Sequence, residues 1–136
     1  MSTIFLSNCT GRKTIPSTGS ICADDLEKGS IREVCNSWKK LVRASNPKIP
    51  ANELYCGRSF QDAKTTVELL NAEHWIISAG LGLIRADTKV PVYDLTLKSK
   101  GRSNLKPKIN EQGFRATRWW KELNLHKKYR SIAELV

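Results

Sequence analysis

The chain has 136 residues, 40% of them hydrophobic and 26% charged, a length that suits one domain with a buried core. No apolar run approaches the roughly 20 residues of a membrane span, and the opening MSTIFLSNCTGRK has no basic region before its apolar run, so it does not read as a signal peptide. No membrane partner is expected, a cytoplasmic location follows by default, and the formal charge of +10 asks which polyanion is bound.

In chain order, Thr3 to Ser7 (TIFLS) is a continuous apolar run of the kind expected for a fully buried strand. It stops in SNCTGRKT, which has loop chemistry. Residues 14–29 contain Pro16, Gly19 and Gly29 without a clear period and read as a long connection. Ser30 and Glu33 then form a capping box. Behind it Ile31, Val34, Cys35, Trp38, Leu41 and Val42 recur at helical spacing, until Asn46-Pro47 and Pro50 stop the helix. ANELYCGRSF reads as a loop in which Ser59 caps a second helix, with Phe60, Ala63, Val67 and Leu70 on its buried face. HWIISA (74–79) is strand-like, Gly80 and Gly82 mark a turn, and VPVYDLTL (90–97) again reads as a strand. KSKGRSNLKPK (98–108) is an expected exposed basic loop, and GFRATRWWKELNL (113–125) a basic helix. The adjacent Trp119 and Trp120 cannot share one helix face, so one of them should pack inward. Strand, helix, helix, strand, strand predicts an α/β fold, a small three-layer sandwich with a mostly parallel central sheet flanked by helices. The whole chain, 1–136, reads as one such domain with a basic C-terminal segment, 98–136.

Cys9, Cys22, Cys35 and Cys56 form no CxxC pair, and the chain has two histidines. Reduced thiols are therefore expected, and no metal or other cofactor. The charge is uneven. Residues 98–136 hold 11 Lys/Arg against 3 Asp/Glu, whereas residues 1–97 hold 12 against 10. This places a nucleic-acid contact, DNA favoured, on Lys98, Lys100, Arg102, Lys106, Lys108, Arg115 and Arg118.

Ligands of open α/β sheets bind beyond the carboxyl ends of the strands, where loops vary freely and helix amino ends point inward. Three segments place polar groups there. The first supplies Ser7, Asn8, Cys9, Arg12 and Lys13, the second Ser78, Gly80 and Gly82, and the third Tyr93, Asp94 and Thr96. Arg12 and Lys13 beside Gly11 suit an anion such as phosphate.

These blocks resemble a known family. An opening strand ending in S-x-C-x-x-[KR]-K matches Ser7, Cys9, Arg12 and Lys13. A middle block matches Glu53, Leu54, Tyr55, Phe60 and Ala63, a third Ser78, Ala79, Gly82 and Leu83, and a fourth Tyr93, Asp94, Thr96 and Leu97. The combination, over about residues 3–97, resembles small uncharacterised bacterial and phage proteins related to the YaaA peroxide-stress proteins, distantly similar in fold to uracil-DNA glycosylases. Gly80 and Leu81 stand where relatives usually carry Lys and an aromatic or His. Pro-Val-Tyr-Asp is one residue longer than the usual Pro-Tyr-Asp.

The resemblance implies base or nucleotide processing, with cleavage of an N-glycosidic bond in DNA as the favoured reaction, in phage defence or DNA modification. A departing base leaves oxocarbenium character on the sugar, which a carboxylate stabilises while orienting water. Asp94 is the first candidate and Asp87 the second. Asn8 is a candidate to receive the charge left on the base, and Tyr55 or Tyr93 to stack on an extruded base. The plainer readings are a turn-capping Asp94 or an Asp94–Arg12 pair, and a Cys9 that only packs. A non-catalytic nucleic-acid-binding module or nucleotide sensor is the alternative function, and a homodimer or protein partner could complete the site.

Overall fold

The computed structural model describes residues 3–9, 13–15, 20–47, 49–97 and 101–135. Arg12, Lys98 and Lys100 lie outside them. Among the described residues the chain is a mixed α/β structure with five α-helices and three small sheets. No described helix is long and apolar enough to cross a membrane.

The main sheet comprises β1 (Ile4–Asn8), β4 (Glu73–Ser78) and β5 (Gly82–Arg85), in the order β1-β4-β5. β1 runs parallel to β4, with Phe5 opposite His74 and Ser7 opposite Ile76. β5 runs antiparallel to β4, with Trp75 opposite Arg85 and Ser78 opposite Gly82. The sheet is therefore mixed, not mostly parallel. The cause lies in GLIR, which the sequence pattern leaves unassigned. Three residues, 79–81, separate β4 from β5, and so short a link permits only a hairpin, since a parallel return needs a crossover of a dozen residues or more. β1 is also less buried than its apolar run predicts, with its first four residues half-buried and Asn8 exposed, because it is an edge strand of this sheet.

VPVYDLTL does not join the main sheet. Pro91 interrupts it and offers no amide to a ladder. On one side β6 (Lys89–Val90) pairs antiparallel with β3 (Ile49–Pro50), and on the other β7 (Tyr93–Asp94) pairs parallel with β2 (Ile21–Cys22). β2 lies inside the expected loop of 14–29, and it is followed by a 3-10 turn at Ala23–Asp25, where Ala23 is fully buried.

Helix α1 (Ile31–Ala44) begins as its sequence dictates. The Ser30 hydroxyl accepts from the Glu33 amide at 3.2 Å and the Glu33 carboxylate accepts from the Ser30 amide at 3.1 Å, an arrangement that contributes about 1 kcal/mol. Those hydrogen bonds hold the Glu33 carboxyl below its ordinary range. Its stripe buries Ile31, Val34, Cys35 and Trp38 completely or nearly so, and burial pushes the Cys35 thiol up to about 11. Short α2 (Ala51–Leu54) occupies part of the expected ANELYCGRSF loop. α3 (Arg58–Leu70) starts after Gly57, whose φ of 110° suits only glycine, so Ser59 lies within the helix rather than capping it. Phe60 and Ala63 are buried, whereas Leu70 and its neighbour Leu69 are exposed. α4 (Ala116–Asn124) packs on α1 and β5, with Trp119 buried and Trp120 half-buried. α5 (Ile132–Leu135) ends the described chain.

The β4–β5 turn is the point where these pieces meet. The indole N–H of Trp38 in α1 donates to the Gly80 carbonyl at 2.7 Å, and that of Trp119 in α4 donates to the Ala79 carbonyl at 2.7 Å. The Leu83 amide donates to Asn124 Oδ1 at 2.8 Å, and the Lys127 ammonium reaches the carbonyls of Leu81 and Leu83. Losing one such donor leaves a carbonyl unpaired and costs about 1–3 kcal/mol. Trp38→Phe and Trp119→Phe are each expected to lower stability by at least about that amount in urea unfolding, and Trp120→Phe, which removes no side-chain hydrogen bond among the described residues, by about 0.5 kcal/mol or less.

Candidate functional site

The carboxyl ends of β1 and β4 lie side by side, tied by the Cys9 amide donating to the Ile77 carbonyl at 2.9 Å. The chain returns past them at Lys13, which bridges to Tyr55. Thr14 next to it donates its amide to the Leu54 carbonyl at 2.8 Å and its hydroxyl to the Glu53 carbonyl at 2.8 Å. β7 brings Tyr93 under the same rim. The Gly80 position explains why a glycine is needed there, since a Cβ would lie 2.5 Å from the Tyr93 ring.

Beneath the rim is a closed hydroxyl network. Tyr55 and Tyr93 share a hydrogen bond of 2.5 Å between their Oη atoms, and Tyr93 Oη lies 2.7 Å from Ser78 Oγ. Ser78 also accepts from the amides of Gly80 and Leu81 at 3.2 and 3.0 Å. Burial raises both phenols above their ordinary range, so they stay protonated and can act as donors. The two residues are 1% and 2% exposed, which removes them as stacking surfaces for an extruded base and gives them the role of a rigid floor.

Lys13 lies on that floor, its ammonium 4.7 Å from the centre of the Tyr93 ring. Burial lowers its pKa, and the charges of Asp94 and Cys9 oppose that shift. Lys13, Asp94 and Cys9 thus share one neighbourhood at the strand ends. Asp94 is half-buried in β7, opposite Cys22 of β2, and no described residue engages its carboxylate in a hydrogen bond or ion pair. It neither caps a turn nor is neutralised by a described cation in direct contact.

Other candidates take different positions. Ser7 Oγ lies 2.6 Å from His74 Nε2, and burial keeps that imidazole below its usual pKa, aided by Lys64. Ser7, Asn8 and Cys9 line a cleft of about 420 Å³ with Ser59, Asp62 and Thr66 of α3, and Asp94 does not border it. Asn8 is exposed at the end of β1, and Cys9, just beyond the strand, is half-buried. Gly82, at φ +78°, packs where a Cβ would collide with Asn124. Thr96 ties down the next loop, its amide donating to the Ser103 carbonyl and its carbonyl accepting from the Leu105 amide.

That loop is less open than its composition predicts, for Asn104 and Leu105 are buried. Arg102 pairs with Asp24 at 3.4 Å, and Lys108 lies 3.9 Å from the same carboxylate and 3.2 Å from the Asp24 carbonyl. Arg118 pairs with Glu111 at 3.1 Å. Lys106 and Arg115 are exposed. Among the described residues no group of three His, Cys, Asp or Glu side chains is placed to hold a metal. All four cysteines are free.

A family model described as a family of unknown function, DUF6884, matches residues 39–124. The chain belongs to the DUF6884 family. The matched stretch contains Tyr55, Ser78, Tyr93, Asp94, Trp119 and Asn124 and begins beyond Cys9 and Lys13. No curated protein and no solved structure matches the chain, and no comparison links it to YaaA proteins or uracil-DNA glycosylases.

Sequence reasoning misses Ser7–His74, which only the β1–β4 register creates, and it misses Lys127. This lysine belongs to a basic run that looks solvated, yet burial, with Lys39 nearby, lowers its pKa to about 8. The folded chain releases the Lys127 proton near pH 8, whereas the unfolded chain holds it to the ordinary value of 10.5. Stability therefore rises with pH across that window, where the unfolded state binds more protons. Urea unfolding is expected to show the wild-type stability, relative to Lys127→Met, increasing from pH 8 towards 10.

Proposed function

We propose that the chain processes a nucleic-acid base or nucleotide, with hydrolysis of an N-glycosidic bond in DNA as the favoured reaction. The observation that carries this reading is the carboxylate of Asp94, unengaged among the described residues, beside the half-buried Lys13, over a floor of buried hydroxyls at the ends of two parallel strands. That combination suits a reaction in which positive charge develops on a sugar and negative charge on a leaving ring.

In this reading Asp94 stabilises the oxocarbenium character and orients the attacking water. Lys13 neutralises the departing base or holds the adjoining phosphate, with Arg12 beside it in sequence. Its partial burial strengthens either interaction, because less water screens it. Cys9 borders the same rim, and Tyr55, Tyr93 and Ser78 keep Lys13 and Asp94 in register. Asn8 and Ser7 line the neighbouring cleft, where a flanking part of the substrate can extend. The reading also takes α3 and α4 as the outer layers of a small three-layer sandwich. The motif resemblance to YaaA proteins and the uracil-DNA glycosylase fold supports the same chemistry.

A nucleic-acid-binding module or nucleotide sensor without catalysis is the second reading. It is favoured by the exposed Lys106, Arg115 and Lys128, for which the described residues supply no ion pair.

Base release from single- and double-stranded DNA, with modified and unmodified bases, separates the two. Asp94→Asn is expected to lose release by a factor of about 100 or more while binding DNA like the wild type. Release undiminished in Asp94→Asn rejects the role of Asp94, and DNA binding without release by the wild type favours the module.

A further inference from the structure

A second cleft lies on the face of the main sheet that carries Trp75, opposite the face that packs on Phe60. Strand register puts Trp75 beside Arg85, with the guanidinium 6.0 Å from the indole centre. After α4 the chain turns back across this face, held there by Lys127 on the carbonyls of Leu81 and Leu83. That anchor lays down the two residues that follow. Tyr129 meets Trp75 edge to face, with centroids 5.6 Å apart at 88°, and the Lys128 ammonium lies 5.3 Å from the Tyr129 ring. The cleft is open to solvent, with a volume of about 380 Å³.

The lining has the chemistry of two things at once. Tyr129 is half-buried and offers flat aromatic surface, Trp75 is buried beneath it, and Arg85, Lys127 and Lys128 bring three cations, of which Arg85 also pairs with Asp87 at 3.2 Å. Glu73 is the one acid in the lining, and its carboxylate is occupied by Arg85 at 3.4 Å and by the Trp75 indole N–H at 2.7 Å. A ligand that fits has a planar ring joined to an anion. Successive bases and phosphates of a single strand meet that description, because stacking is tolerant of sequence and phosphate is drawn to exposed cations.

We propose that this cleft holds one nucleotide of a single-stranded nucleic acid, its base against Tyr129, which the buried Trp75 supports, and its phosphate against Arg85 and Lys128. The proposal rests on the nucleic-acid reading above and adds where the strand is gripped. The hold is on the other face of the sheet from the Ser78 network, and it draws on cations that follow the segment expected to bind DNA.

The test is fluorescence anisotropy of a labelled oligothymidylate of about 12 nucleotides, measured over a range of salt with thermal unfolding of each variant in parallel. Tyr129→Ala is expected to weaken binding about 5- to 100-fold, the worth of one stacked base, and Tyr129→Phe to bind like the wild type. Arg85→Ala combined with Lys128→Ala is expected to make the salt dependence shallower by about 0.7 for each phosphate no longer neutralised. Should Tyr129→Ala fail to fold, the Arg85/Lys128 pair decides. Wild-type binding that is unchanged in the folded variants overturns this site and leaves the nucleic-acid reading standing. Failure of the wild type to bind the strand overturns this site, and the nucleic-acid reading falls with it only where base release is absent as well.

Discussion

The rest of the structure depends on pairing the backbone groups of one buried turn. A hairpin of three residues between β4 and β5 brings the carbonyls of Ala79, Gly80 and Leu81 into the interior, where unpaired polar groups are costly. Each is met by a side chain from a different part of the chain, Trp119, Trp38 and Lys127 respectively. Satisfying the turn therefore draws α1, α4 and the following segment to one end of the sheet. No buried side-chain nitrogen or oxygen among the described residues is left without a partner. The same turn sets the candidate site. Because Gly80 has no side chain, the Tyr93 ring can close on it, and Tyr93 then reaches Ser78 and Tyr55 and supports Lys13 from below. Core packing and the placement of polar groups are one arrangement here.

Much of this is legible in the sequence where local chemistry decides. The Ser30/Glu33 box and the stripe behind it place α1, the apolar HWIIS places β4, and the paired tryptophans of α4 divide as expected, Trp119 inward. Long-range pairing is what the pattern does not show. Four residues of GLIR are too few to display a period, and their glycine reads as turn, so β5 and with it the mixed sense of the sheet escape notice. VPVYDLTL is apolar enough for a strand, but Pro91 divides it between two partners that lie far away in sequence. The strand-end rule does bring Cys9, Lys13, Ser78, Tyr93 and Asp94 together. It does not foresee that Asp94 stands apart from the cleft that Ser7, Asn8 and Cys9 line, or that the two tyrosines are sealed.

Charge shows the same divide between composition and structure. The basic surplus of the last third predicts a polyanion surface, yet part of it is used inside the molecule. Arg102 and Lys108 share Asp24, Arg118 pairs with Glu111, and Lys127 braces the turn. Surface pairs of this kind contribute little to stability, about 0–1 kcal/mol each, but they fix where the remaining cations lie. The segment strapped down by Lys127 carries Lys128 and Tyr129 onto a second face, so one half-buried lysine serves both the turn and the cationic aromatic cleft.

The account stands on Lys13 and Asp94 occupying one rim. The most direct measurement is the titration of the Lys13 ammonium by side-chain NMR in the wild type and in Asp94→Asn. Burial is expected to place the wild-type pKa below that of an ordinary lysine, and loss of the Asp94 charge, which now opposes that shift, to lower it further. A Lys13 pKa that is unchanged or raised by Asp94→Asn would contradict the shared rim.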